Sequence, residues 1–120
     1  MRILRNIVLL ISIFGLISCA DAKVKHYALE VVAEYPHDTG SYTQGLFFHE
    51  GELYESTGVR GKSTFRKVDK ETGDAIQRLN FDKKYFVEGS VVMGDKLYIL
   101  TWESRLAFIY NAETLEYESS

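Results

Sequence analysis

An internal repeat constrains the fold of this 120-residue chain more than any other feature of its sequence. When the chain is shifted by 44 positions, residues 44–45 (Gln-Gly) fall on residues 88–89 (Glu-Gly). A second echo, at a shift of 42, aligns residues 68–73 with residues 110–115. A period of roughly 40–50 residues built from short strands is typical of the blades of a β-propeller. The repeat therefore predicts an all-β fold, a β-propeller of which about two blades are present in this chain.

Short apolar runs separated by turn residues agree with that prediction. Within residues 86–102, apolar and β-branched residues flank Gly94-Asp95, a pattern that predicts two strands and a tight turn. After residue 18 no stretch has the periodicity of an amphipathic helix. The other predicted strands cover residues 26–35, 42–49, 53–57, 64–68, 75–81, 105–110 and 115–117.

The first residues are typical of an export signal. Arg2 and Arg5 precede an apolar run over residues 7–17, which is shorter than the ~20 residues that a membrane-spanning helix needs. The single cysteine of the chain, Cys19, stands at the end of this run. This arrangement resembles a bacterial lipoprotein signal, and predicts that residues 1–18 are removed and Cys19 carries a lipid. A plain signal peptide beside an uninvolved cysteine is the alternative.

These features predict the organisation of the exported chain. Residues 19–29 would form a tether and residues 30–120 a partial propeller domain, held at the bacterial cell envelope on the periplasmic side. Without Arg2 and Arg5, twelve basic residues stand against 17 acidic ones, a net charge of −5. A nucleic-acid partner is therefore not expected, since it would require clustered lysine and arginine.

Residues of the types that bind a metal or a phosphate lack the necessary pattern. The three histidines, at 26, 37 and 49, do not have the spacing of metal ligands, and no paired cysteine is available. Residues 61–64 (Gly-Lys-Ser-Thr) resemble the end of a phosphate-binding loop, but the earlier glycine and the following helix of that motif are missing. His37 beside Asp38 could act as a base, although a solvated turn explains the pair better. No cofactor and no metal are expected.

The repeat draws attention to Glu88. Its repeat-mate is Gln44, and equivalent positions of successive blades point towards the propeller axis, so the two side chains should face one central pocket. Phe86 and Val87 precede Glu88, and apolar surroundings disfavour the charged form of a carboxyl group, which suits proton transfer. Trp102, the single tryptophan, would form part of the pocket wall. A solvated acid and a core tryptophan are the alternatives.

Several segments together resemble the plant and bacterial type of glutaminyl-peptide cyclotransferase, or glutaminyl cyclase. The similarity runs from about residue 30 to residue 110. It is specific as a set, above all in Thr-Gln-Gly-Leu, Glu-Ser-Thr-Gly and Leu-Thr-Trp. The matching segments are residues 35–38, 42–46, 53–58, 66–69, 86–89 and 95–102.

The resemblance implies a five-bladed propeller that converts N-terminal glutamine to pyroglutamate with release of ammonia, without a catalytic zinc ion. By motif, Glu88 matches the catalytic glutamate of the family. Tyr42, Gln44, Phe86 and Trp102 match its substrate-binding residues, with Tyr42 standing where the family has phenylalanine. The other pocket residues of the family, an asparagine, a lysine and a further tryptophan, have no counterpart before Ser120, so we expect a truncated chain.

Two other interpretations remain open at this point. The chain could be a non-catalytic, lipid-anchored propeller fragment that binds peptides or serves as an envelope scaffold. It could also be an inactive fragment that is completed by a partner chain. Open strand edges and apolar faces of two isolated blades would favour such an association.

Overall fold

A computed structural model describes residues 24–120 of the protein. The predicted signal segment and the predicted lipid attachment at Cys19 lie outside these residues. All of the strands lie in the compact unit formed by residues 33–120. Residues 24–120 contain no helix, and hence no helical segment that could cross a membrane.

The eight strands form two antiparallel sheets of four strands each. Sheet 1 has the order β1-β2-β3-β4 and sheet 2 the order β5-β6-β7-β8, so each strand pairs with its neighbour in the chain. The predicted all-β fold and its repeated four-stranded unit are confirmed. The strands are β1 Thr43–His49, β2 Glu52–Thr57, β3 Thr64–Val68, β4 Ala75–Asn80, β5 Val87–Met93, β6 Lys96–Thr101, β7 Ala107–Asn111 and β8 Tyr117–Ser119.

The strand predicted over residues 26–35 is absent. Residues 24–42 contain no strand, and their side chains are exposed except for Ser41. Alternating apolar residues suggested a strand, but alternation alone does not supply the backbone partners that a ladder requires. No strand of the described residues pairs with this segment, and the prediction is therefore wrong for this chain.

The repeat is visible in the tight turns between the first two strands of each sheet. Glu50 and Gly51 both have positive φ, at 50° and 83°, as a type I′ turn requires. In the turn between β5 and β6 of sheet 2, Gly94 alone has positive φ, at 64°, which fits a type II′ turn with glycine first. Both turns twist with the same hand as the strands, so each hairpin closes with two loop residues.

A second pair of turns repeats almost bond for bond between the third and fourth strands. Asp69 and Asn111 each accept backbone N–H bonds from the residues two and three positions later, at 2.8–3.0 Å. Each turn then needs one residue of positive φ, which is Gly73 in sheet 1 and Leu115 in sheet 2. That conformation costs a leucine ~1–2 kcal/mol, but Leu115 is buried in the core, where its packing offsets the strain.

The core lies between the two sheets. Phe65 of sheet 1 and Val87, Leu97 and Ile99 of sheet 2 are completely buried in one cluster. On the sheet 1 side, Phe65 belongs to a stack of three aromatic rings with centroids 5.6–6.4 Å apart. Partly buried residues around the cluster are Phe47, Tyr54, Leu79, Phe81, Val92, Phe108 and Tyr110.

Each sheet also has a second face that carries exposed apolar side chains. Leu46, Phe48 and Ile76 are exposed on the face of sheet 1 that points away from the core. Val91, Met93 and Leu100 are exposed on the corresponding face of sheet 2. A sheet with apolar side chains on both faces is typical of an inner layer.

Candidate active site

Two equivalent β-bulges place the two residues on which the sequence analysis centred. The register of β1 against β2 shifts between Thr43 and Gly45, which leaves Gln44 unpaired. The register of β5 against β6 shifts between Val87 and Ser90, a segment that contains Glu88. A bulge bends its strand and re-aims a side chain, and bulges are common next to active sites. The predicted equivalence of Gln44 and Glu88 is therefore seen in the backbone.

The two bulges lie side by side because glycine allows the strands to approach. A Cβ atom on Gly45 would lie 3.1 Å from the backbone nitrogen of Ser90 and 2.6 Å from Ser56 Oγ. A Cβ atom on Gly89 would lie 3.9 Å from the carbonyl oxygen of Gln44. The hydroxyl of Ser90 donates to Ser56 Oγ at 3.2 Å across the same seam. Gln44 and Glu88 thus belong to neighbouring strand ends of different sheets.

Glu88 itself is half-buried. Val87 before it is buried in the core and Gly89 after it is half-buried. No side chain of residues 24–120 forms a hydrogen bond or an ion pair with the Glu88 carboxylate. Its oxygen atoms are therefore not engaged by the described protein and can meet a ligand.

A row of aromatic rings runs beside the bulges. Phe86 packs edge-on against Tyr42 and Trp102, with ring centroids at 6.2 Å and 5.4 Å. The guanidinium carbon of Arg60 lies 5.7 Å from the centre of the Trp102 ring, at the outer end of the row. Trp102 is 49% exposed. Trp102 is therefore a surface residue and not a core residue, and its role in the wall of a pocket stays a prediction.

Gly58 makes room for this row. A Cβ atom on Gly58 would overlap the ring of Phe86 and would lie 3.2 Å from Gln44 Cγ. Gly58 and Trp102 occupy equivalent places: the N–H of Gly58 donates to the carbonyl of Tyr42 at 2.8 Å, and that of Trp102 to the carbonyl of Phe86 at 2.9 Å. At this position sheet 1 has no side chain, and the ring of Phe86 occupies the space. Sheet 2 has the ring of Trp102 at the same position.

The structure thus brings Tyr42, Phe86 and Trp102 into direct contact, places Gln44 on the first bulge next to Gly58, and sets Glu88 two residues beyond Phe86. Tyr42 and Trp102 are exposed, so this part of the site is open to solvent. None of the cavities of about 420, 220 and 240 Å³ is lined by Glu88, and the one of 220 Å³ is lined by Gly58.

A buried ionic cluster behind the first bulge was not predicted. Glu55 is 1% exposed, and one of its oxygens accepts a bond from Thr43 Oγ1 at 2.5 Å and lies 3.0 Å from His37 Nε2. Its other oxygen pairs with Arg66, whose side chain is 7% exposed. Arg66 also donates to Asp38 at 2.8 Å. His37 and Asp38, interpreted above as a solvated turn, are the outer members of this cluster.

Hydrogen bonding overcomes burial in this cluster. Burial raises the pKa of Glu55, but bonds from Thr43, Arg66 and His37 outweigh it and leave the pKa below its ordinary value. The Arg66 guanidinium holds the pKa of Asp38 at about 2, assisted by Gly40 and Ser41. Burial likewise lowers the pKa of Arg66, and its two carboxylate partners raise it by more. Asp38, Glu55 and Arg66 are therefore charged near neutral pH.

The repeat contains the signal that could have revealed this cluster. The repeat-mates of Thr43, Glu55 and Arg66 are Val87, Ile99 and Phe108, all of which belong to or pack against the apolar core. Charged residues at positions where the other unit is apolar mark a departure from what packing requires. As for metals, residues 24–120 contain no group of three His, Cys, Asp or Glu side chains that could hold an ion.

The fold of this chain is that of known glutaminyl cyclases, and its sequence matches their family. Residues 6–120 match the model of the glutamine cyclotransferase family. The chain belongs to this family, as the motifs in its sequence predict.

Two relatives support the assignment. The chain is 42% identical over 88 residues to the glutaminyl-peptide cyclotransferase of Arabidopsis thaliana, an alignment that covers 72% of this chain and 28% of the relative. It superimposes on the crystal structure of Myxococcus xanthus glutaminyl cyclase with a TM-score of 0.62 at 35% identity, covering 74% of this chain and 37% of that one. The chain therefore spans about a third of the length of these relatives.

Proposed function

We propose that this chain supplies the catalytic carboxylate and part of the substrate pocket of a glutaminyl-peptide cyclotransferase, which converts N-terminal glutamine of peptides or proteins to pyroglutamate and releases ammonia. The observation that carries the proposal is the position of Glu88: an unengaged, half-buried carboxylate on a bulge, beside the matching bulge of Gln44 and a row of aromatic rings. The reaction that we propose for this geometry is inferred from the family to which the chain belongs.

The chemistry requires one group that can take a proton and return it. The α-amine of the substrate loses a proton and attacks its own γ-carbonyl carbon, which closes the five-membered ring. The tetrahedral intermediate then expels the side-chain nitrogen, which leaves as ammonia after gaining a proton. Glu88 can serve as base in the first step and as acid in the second, a role that typically contributes 10²–10⁴-fold.

The aromatic row supplies the second requirement, which is conformational. A glutamine side chain is flexible, and a site that binds it in the ring-closing conformation lowers the activation free energy, because the conformational entropy is already lost on binding. Phe86 and Trp102 offer apolar surfaces to the methylene groups of the substrate, with Tyr42 at one end. The Gln44 side chain brings an amide that can donate and accept hydrogen bonds. These four residues are our proposed substrate-binding set.

The outer faces of both sheets support a larger assembly. Their exposed apolar side chains would be covered if further four-stranded units followed on each side. We propose that the active protein is a closed ring of five such units. Donors that stabilise the tetrahedral oxyanion would then come from units beyond the two described here.

The test measures ammonia release and pyroglutamate formation from a short peptide with N-terminal glutamine. We expect Glu88→Gln to reduce turnover by 10²-fold or more while peptide binding persists. The matched control is Glu103→Gln, an exposed acid beside Trp102 that pairs with Arg60, which should remain active. The same pair should be tested with this segment replacing its counterpart in the Arabidopsis relative. Near-normal turnover of Glu88→Gln in both contexts would refute the assignment.

The proposed location follows from the first residues of the sequence. We propose that residues 1–18 direct export and that Cys19 carries the lipid that holds the protein at the cell envelope. In bacterial cells the protein should partition into detergent, and Cys19→Ser should move it to the aqueous phase. Equal partitioning of the two forms would contradict lipid attachment.

A further inference from the structure

The ionic cluster occupies a column of positions that the other sheet fills with apolar side chains. In sheet 1 the column is Thr43, Glu55 and Arg66, on β1, β2 and β3. Glu55 and Arg66 face each other across the β2–β3 register, and Ile99 faces Phe108 in the same way across β6–β7. Since both sheets adopt the same topology, an apolar column satisfies the fold.

An ionic column is the less favourable of the two solutions. Removing Glu55 and Arg66 from water costs free energy that their attraction offsets only with good geometry, and apolar replacements of buried ion pairs are often as stable or more so. The cluster meets most of the geometric requirement, since Glu55 has three partners and Arg66 bonds to Asp38, Ser41 and Glu55, while Arg66 Nε is buried without a partner among the described residues. Stability alone does not explain why sheet 1 keeps such a network.

What the cluster does mechanically is hold Thr43. The short bond from Thr43 Oγ1 to Glu55 fixes the residue directly before the bulged Gln44. On the preceding residue, the carbonyl of Tyr42 accepts the N–H of Gly58 at 2.8 Å. The two residues before the bulge are therefore both held, Tyr42 by a backbone bond and Thr43 by a bond to a buried carboxylate. A charged acceptor makes the stronger kind of hydrogen bond.

We propose that Glu55 and Arg66 are positioning residues: through Thr43 they set the bulge that presents Gln44 to the substrate. Arg66 orients the Glu55 carboxylate and keeps it charged, and Glu55 fixes Thr43. In sheet 2 the equivalent residue, Val87, is held in a different way: its side chain is buried in the core, and its N–H donates to Ser63 Oγ at 3.1 Å. The substrate part of this inference depends on the proposed function, whereas the mechanical part does not.

The closest test changes only the hydroxyl group. Thr43→Val keeps the shape of the side chain and removes the bond to Glu55, whereas Thr43→Ser keeps the bond. Hydrogen exchange of segment 42–46 is measured in the full chain, with segment 86–90 as the internal reference. We expect exchange of residues 42–46 to rise by roughly tenfold in Thr43→Val and to stay unchanged in Thr43→Ser. Unchanged exchange in Thr43→Val would overturn the proposal.

A second pair of variants tests the carboxylate. Glu55→Gln should give the same local increase, and its matched control is Glu52→Gln, a partly exposed acid of the same strand that pairs with Lys67. A merely structural role for Glu55 would raise exchange in both segments together. An equal rise in segments 42–46 and 86–90 would therefore also overturn the proposal. If Glu55→Gln does not fold, the two Thr43 variants still decide.

Substrate binding is read separately through Trp102, the single tryptophan of the chain. A glutaminyl peptide should change its fluorescence, with affinity weakened several-fold in Thr43→Val and restored in Thr43→Ser. If the unaltered chain binds no such peptide and forms no pyroglutamate, the proposed function fails, and the exchange measurements still judge the clamp. If the chain binds the peptide and Thr43→Val binds it equally well, the clamp does not serve the site.

Discussion

Sheets 1 and 2 share their strand order, their bulges and their turns, yet they fill one column with opposite chemistry. Thr43, Glu55 and Arg66 form a charged network in sheet 1, where Val87, Ile99 and Phe108 form part of the apolar core in sheet 2. The same sheet topology thus accommodates either choice. A departure from the repeat therefore indicates a local task and not a different fold.

The segment before each sheet follows the same rule. Residues 38–41 and 82–85 form the same turn, with N–H to carbonyl bonds of 3.0 Å at Ser41 and 2.9 Å at Tyr85. The first turn places Asp38 and Ser41 against Arg66, and the second places Tyr85 against Phe108, at a ring distance of 5.1 Å. The segment before sheet 1 therefore adds polar side chains to the charged column, and the segment before sheet 2 adds an aromatic ring to the apolar column. In each sheet the column and the preceding segment have the same chemical character.

The largest loss of stability is expected when a charged side chain of the sheet 1 column is placed in the apolar column of sheet 2. Ile99→Glu would place a carboxylate at a completely buried position of sheet 2 without the cation that serves Glu55. Such an unpaired charge costs roughly 4 kcal/mol or more, and we expect the cooperative unfolding transition to be lost. Urea unfolding followed by circular dichroism measures this. Leu100→Glu, next in sequence but exposed, is the control; a stable Ile99→Glu would show that the columns are interchangeable residue by residue.

An intermediate effect is expected at the paired turns. Gly73→Ala adds a Cβ atom that would lie 2.7 Å from the carbonyl oxygen of Pro36, at a residue whose φ is 79°. We expect a loss of about 1–3 kcal/mol, because strain and a backbone clash act together. Gly51→Ala is the control, since its φ is similar and nothing lies within 4 Å of the added atom. Equal losses in the two variants would mean that the contact with Pro36 does not matter.

The smallest effect is expected from acid. The pKa of Asp38 is lowered from 3.8 to about 2 and that of Glu55 is also lowered. Depressed carboxyl pKa values stabilise the fold above their ordinary range, and this contribution is lost as the pH falls through the folded-state values. Between about pH 5 and pH 2, the protection of backbone amides against exchange, measured relative to the intrinsic rate at each pH, should fall in residues 37–46 before it falls in residues 81–90. A simultaneous loss of protection in both segments would contradict the difference between the two columns.

Much of the fold was predictable because its signals are local or periodic. Turn residues at 50–51 and 94–95 define both hairpins, and the shift of 44 positions is enough to align Gln44 with Glu88. The aromatic row was accessible in part, since Trp102 stands where its repeat-mate is Gly58. These predictions need only chain order and side-chain type.

The ionic cluster was not predictable, because it depends on strand register and on loop conformation, which local sequence patterns do not reveal. Glu55 and Arg66 are eleven positions apart and meet only because β2 and β3 pair in one register. His37 and Asp38 join them from a segment without regular structure. The strand wrongly predicted over residues 26–35 shows the reverse case. Its sequence alternates as a strand does, but no strand among residues 24–120 pairs with it.

The paired roles of Gly58 and Trp102 have a consequence for how such a site could be inherited or engineered. Sheet 1 has a glycine, Gly58, at this position and sheet 2 has Trp102, so the ring of Phe86 lies between Gly58 of one sheet and the Trp102 ring of the other. Copying either unit alone would duplicate the glycine or the tryptophan but not the binding place of Phe86 between them. The smallest transferable module is therefore the junction of two adjacent units.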